Sequence, residues 1–312
     1  MTVTRWTRPL SAEWIRLSRR WDVWVVAALV VAVSSWLYLS AFGHSISAMG
    51  VGEQGGWGSP DGPPPPAWFI DAMFSLRAPY AFPGSLLTVL DSVWVLPAIG
   101  AYLAIATIGP DFWWGTMRSI LVTNRSRAGY VAHRLAMLLL LAMGSLLTIL
   151  VIASLMQPLL VLLAGERFPE GSLPLATFAE MLAGRMAEVL AYTLIAAALT
   201  LIAGSLVGGV VLLGAFVAGD LAVGAIATAI GQPVVRELTI SGAFNSIVDQ
   251  LRPHPVEMVV DYELGALVPA AHQPTPPVHF LSVEASALIV VVWILVAASL
   301  AFWRAGSMDV AD

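Results

Sequence analysis

The chain predicts an all-α integral membrane protein with six transmembrane helices, an amino-terminal amphipathic interfacial helix and both termini in the cytoplasm. Three observations lead there. Of 312 residues, 58% are apolar and only 11% are charged, and the mean hydropathy is +0.83, well outside the range of soluble globular domains. The apolar residues gather into runs near or above the roughly 20 that a helix needs to cross a bilayer. The arginines are unevenly shared between alternate connecting segments, and that asymmetry orients the spans.

Residues 1–22 form the polar lead. Leu10, Trp14, Leu17 and Trp21 recur at helical spacing, with Glu13, Arg16, Arg19 and Arg20 around them. This pattern predicts an amphipathic helix lying in the inner headgroup layer, with membrane lipid as its partner. The first span, Val23–Phe42, is too long for the apolar run of a cleavable signal peptide and is read as an uncleaved helix. An external segment, 43–84, follows, in which Pro63–Pro66 favour an extended polyproline conformation. The second span is Ser85–Ile108 and the third Leu135–Leu163, the latter long enough to tilt or project. Between them, loop 109–134 carries two tryptophans and four arginines. The fourth span, Met186–Gly204, and the fifth, Val207–Ile230, are separated only by a turn at Gly204–Gly208. A single helix across that point would make the count odd and put the carboxyl terminus outside. A second external segment, 231–282, contains an apolar centre, Val256–Ala270, that predicts a short surface helix. Val283–Trp303 is the sixth span, and residues 1–312 make one transmembrane domain.

Ten arginines lie on one side of this arrangement: Arg5, Arg8, Arg16, Arg19, Arg20, Arg118, Arg125, Arg127, Arg134 and Arg304. Five, Arg77, Arg167, Arg185, Arg236 and Arg252, lie on the other. The richer side is assigned to the cytoplasm.

Composition also excludes functions. All 15 basic residues are arginine, so a phosphate-binding loop ending in Gly-Lys-Ser/Thr is impossible and so is a lysine Schiff base. Any ATP must bind another chain. There is no cysteine, which removes disulfides, thiolate metal sites and cysteine nucleophiles. The net charge of −5 offers no basic surface for nucleic acid. The five histidines are scattered without metal-ligand spacing, and no nucleophile elbow occurs. No catalytic, cofactor or metal residue is assigned.

Two buried acids stand out. Asp220 falls near the middle of the fifth span, where a carboxylate must face a cavity, pair with a donor or be protonated. It is a candidate for a transport path, or else a structural hydrogen-bonding group to a neighbouring helix. Glu188 follows Arg185 by three residues, the spacing of a helical ion pair. Glycines recur through the fifth span from Gly204 and Gly208 to Gly224, which suits close helix association or simply reflects glycine's frequency in membrane helices.

Within loop 109–134 stand Asp111, then Gly115 and Thr116, Arg118, Arg125, and the pair Ser126 and Arg127. An acidic residue before Gly-Thr, a following arginine and a Ser-Arg pair, between spans two and three, resembles the permease subunit of a type-2 ATP-binding cassette (ABC) exporter. The layout resembles that family along nearly the whole chain, the motif only in this loop. The proline common before Ser-Arg is absent. The resemblance implies that separate ATPase subunits, carrying ATP and Mg, dock on Asp111, Gly115, Thr116, Arg118, Arg125, Ser126 and Arg127 as coupling helices. It implies a second permease copy or related permease, a bacterial cytoplasmic (inner) membrane, and export of a hydrophobic or amphipathic substrate. Each arginine alone is equally explained by positive-inside orientation or anionic lipid. Two other classes stay open: a membrane-embedded enzyme using external residues such as His254 and Asp261, and a non-enzymatic assembly factor.

Overall fold

A computed structural model describes residues 14, 15, 17–21, 23–25, 27–36, 39, 40, 95–113, 127–163, 175–251, 258–261, 266–269 and 280–307. Its helices are α1 (Val23–Trp36), α2 (Val95–Trp113), α3 (Arg127–Leu163), α4 (Leu175–Ala203), α5 (Leu206–Ala229), α6 (Pro233–Leu238), α7 (Ile240–Leu251) and α8 (Val283–Ser307). Two short strands, β1 (Met258–Asp261) and β2 (Ala266–Pro269), precede α8. Among the described residues four helices, α3, α4, α5 and α8, are long and apolar enough to cross a membrane. The protein is an α-helical, multi-pass membrane protein. The predicted first and second spans overlap α1 and α2, and their remaining residues fall outside those described.

Helix α4 is the centre. It packs against α2, α3, α5, α7 and α8, and Ala191, Ala196 and Ala197 on it are fully buried. Small side chains let neighbouring backbones approach closely, which is how helices associate when lipid is as apolar as they are. Polar groups on α4 are satisfied locally. Thr193 and Thr200 each donate to the carbonyl four residues back, at 2.6 and 2.7 Å, so their burial leaves no hydroxyl orphaned. Arg185 and Glu188 form the expected ion pair, at 2.7 Å. By contrast α5 and α8 bury little of themselves inside the protein and leave their apolar sides to lipid.

The α4–α5 turn is a two-residue reversal. Gly204 adopts φ +63°, a region that side chains other than glycine's enter at a cost. Ser205 then caps α5 by accepting from the Gly208 amide at 2.9 Å. Two helices, not one long span, therefore meet here. Gly204→Ala should cost about 1 kcal/mol, read as a lowered unfolding midpoint in detergent beside an inert control such as Gly144→Ala, whose added methyl meets open space.

Three expectations need correction. Loop 109–134 is shorter than predicted, because α2 continues to Trp113 and α3 begins at Arg127; only 114–126 separates them. Pro110 sits inside α2 and frees the Ala106 carbonyl by lacking an amide hydrogen. Arg20 fills that gap, donating to Ala106 O at 2.6 Å. The amphipathic stretch is also not one continuous helix. The chain turns at Arg19–Arg20, Leu17 is buried, and Trp14 and Trp21 are exposed, so the stripe divides between protein and surroundings. Leu10 and Glu13 lie outside the described residues. Finally, no helix spans Val256–Ala270. Strands β1 and β2 pair antiparallel there, Val259 opposite Val268 and Val260 opposite Leu267. Valines favour a strand, and Pro253, Pro255 and Pro269 obstruct a helix through this stretch.

Candidate functional site

The helix ends sort by charge. Arg20 reaches α2 near its carboxyl end, and Arg127 at the start of α3 approaches Gly306 O at the end of α8, 3.5 Å away. Arg304 occupies the last turn of α8. The α4–α5 turn is at the same end: a methyl placed on Gly109 would meet Leu206 at 2.8 Å, and one on Gly204 would lie 4.0 Å from Phe112. Arg20, Arg127, Arg134 and Arg304 therefore share one end of the bundle with the bases of segment 114–126.

At those bases sits a buried network. Asp111, in the last turn of α2, and Arg134, two turns into α3, form an ion pair at 2.5 Å, with side chains 2% and 3% exposed. Tyr130 donates to the same Asp111 oxygen at 3.0 Å, and Arg134 also donates to the Thr107 carbonyl. A cationic side chain at the carboxyl end of α2 meets the negative end of its dipole. A cavity of about 10 Å³ adjoins Arg134, lined by Ile108, Tyr130, Val131, Leu135 and Leu201; it has room for about one water. Asp111, predicted as part of a docking surface, is thus turned into the protein, where it fixes the spacing of α2 and α3. Arg127 is half-exposed. Gly115, Thr116, Arg118, Arg125 and Ser126 lie outside the described residues.

The opposite end carries a re-entrant hairpin. Helix α6 descends beside α5, the chain turns at Thr239, and α7 climbs back among α4, α5 and α8. Asp220 of α5 supports the turn: its two carboxylate oxygens accept from the Ile240 and Ser241 amides at 2.9 and 3.2 Å. Thr239 Oγ1 accepts from the Gly242 amide at 3.0 Å, and Thr239 O from the Ala243 amide at 2.9 Å. All four leading amides of α7 thus have acceptors, as helix ends away from water require. Asp220, a candidate for a transport path, is used here as a cap for a neighbouring helix, the structural alternative of the sequence reading.

Glu237 anchors the residues that lead into α8. Its carboxylate accepts from Phe280 N at 3.1 Å and from Leu281 N at 2.8 Å, while Gln250 donates to Leu281 O at 3.0 Å. Sequence reasoning assigned Glu237 no role. Its partners stand 43 and 44 residues later, and no local pattern links them.

Among the described residues no group of three or more histidines or acids could hold a metal ion. His254 lies outside them, and Asp261 is the last residue of β1.

No family model matches the chain, and no curated protein or solved structure is significantly similar to it. Its site is therefore argued from its own chemistry.

Proposed function

We propose that this chain is the permease subunit of a type-2 ABC exporter, with six spans and both termini in the cytoplasm of a bacterial cell. It moves a hydrophobic or amphipathic substrate across the cytoplasmic membrane, and separate ATPase subunits bind ATP and Mg and supply the work. The observation that carries this reading is the arginine-bearing end of the bundle, where segment 114–126 leaves two helices whose roots are locked by Asp111 and Arg134. A docking segment must pass a rigid-body movement to the spans, and a buried pair across its base is a means of doing so. The Gly115-Thr116, Arg118 and Ser126-Arg127 pattern supports the same reading. The absence of lysine requires the ATPase to be another chain. A second permease copy would complete the path.

The test is affinity purification of the chain from cells that express its cellular ATPases. Wild type should recover an ATPase in stoichiometric amount, and the double variant Arg118→Glu, Arg125→Glu should lose it while eluting as the same folded species. These two positions are better probes than Arg127, which also contacts the end of α8. Recovery of no ATPase with well-folded wild type would end this reading.

A further inference from the structure

Helix pair α5–α6 has a fixed register. The Gln232 amide donates to Ala227 O at 2.8 Å near the top. Arg236 Cγ lies where a methyl on Gly224 would meet it, at 3.8 Å. Asp220 receives the Ile240 amide at the bottom. Arg236 is therefore level with Gly224, five residues before the end of α5 at Ala229. That is about 8 Å along a helix. Since α5 is 24 residues long, or about 36 Å, and a hydrocarbon core is about 30 Å thick, Arg236 is rooted just inside the hydrocarbon edge. A long arginine side chain from that depth reaches the headgroup phosphates.

Among the described residues its surroundings hold no available carboxylate. Thr228 lies one turn above Gly224 on the same face of α5, and Gln232 lies one turn before Arg236 in the descending arm. All three polar residues are exposed. Arg236 makes no ion pair or side-chain hydrogen bond among the described residues. The two nearest acids are both committed elsewhere, Asp220 to the α7 amides and Glu237 to Phe280 and Leu281. Ile230, Val234 and Leu238 of the same stretch are exposed as well.

We propose that Arg236, with Gln232, forms a binding site for the phosphate of an anionic phospholipid, in the leaflet away from the arginine-rich end. The guanidinium fork meets phosphate oxygens in the geometry that favours arginine there; the Gln232 amide adds a neutral donor. An arginine at this depth that faces lipid without a carboxylate needs such a counter-ion. This inference does not depend on the exporter reading.

The test is a titration of the delipidated full chain in detergent with dioctanoyl phosphatidylglycerol, followed by native mass spectrometry. Arg236→Gln should weaken binding about tenfold, the worth of one charge-assisted contact. Arg304→Gln, in the last turn of α8 at the opposite end, should leave it unchanged. Arg236→Lys, which keeps charge and helix preference, guards against misfolding and should retain part of the affinity. Equal affinity in wild type and Arg236→Gln overturns the proposal, as does an equal loss in Arg304→Gln. Displacement of the lipid by millimolar inorganic phosphate would make this a free-anion site and overturn the lipid assignment.

Discussion

Asp220→Ala should destabilise the protein by about 2–4 kcal/mol, because it strips acceptors from two buried amides at once. The Ile240 and Ser241 amides bond to Asp220 alone at the foot of α7, about 14 Å along α5 from its far end. Water does not reach that depth to replace a lost acceptor in a dry bundle. Asp220→Asn should cost less, since its amide oxygen still accepts one bond while its NH2 turns a second donor toward the other. The unfolding midpoint in detergent should fall in the order wild type, Asn, Ala. Hydrogen exchange at Ile240–Gly242 should rise in the same order, with α2 and α3 unchanged. If Asp220 instead served only as a wetted group in a transport path, neither the midpoint nor the exchange at the foot of α7 would move.

How much of this was legible depends on the distance over which each residue finds its partner. The sequence left the α4–α5 boundary open between a turn and one long helix, although the signals that decide it are local: Gly204 and Ser205 stand together between two apolar runs, and the turn uses both. The Arg185–Glu188 pair was readable because its partners are local too, three positions apart on one helix. The ends of α2 and α3 were not. Charges at Asp111, Arg127 and Arg134 read as loop, since an isolated arginine in an apolar helix is costly. Arg134 escapes that cost through a carboxylate 23 residues earlier, which no periodicity reveals. The Asp220 cap, reaching 20 residues forward, is hidden in the same way. The short strands were missed for a different reason: apolar content was weighed above the prolines and valines that decide between helix and strand over such a short run.

Breaking the Asp111–Arg134 pair from either side should cost about 3–5 kcal/mol, the largest single effect expected in this protein. Either half alone is a buried charge with its main partner removed. Arg134→Ala takes the cation from Asp111, and it removes the donor to Thr107 O. Asp111→Ala leaves a guanidinium at 3% exposure beside a small cavity lined mainly by apolar side chains. The double variant Asp111→Leu, Arg134→Met should be more stable than either single alanine variant, because an apolar pair of similar volume carries no desolvation cost. That non-additivity is what separates a buried ion pair from two independent packing contacts, and a double-mutant cycle on the unfolding midpoints measures it. Additive losses would mean that the charges contribute nothing to one another. The double variant also separates stability from signalling at the roots of segment 114–126. If the pair matters to an ATPase partner only by keeping the protein folded, the double variant recovers ATPase as wild type does. If a polar lock between α2 and α3 is itself needed to hold the docking segment, ATPase recovery falls although the fold survives, and Arg134→Lys, which restores charge without the planar fork, regains only part of it.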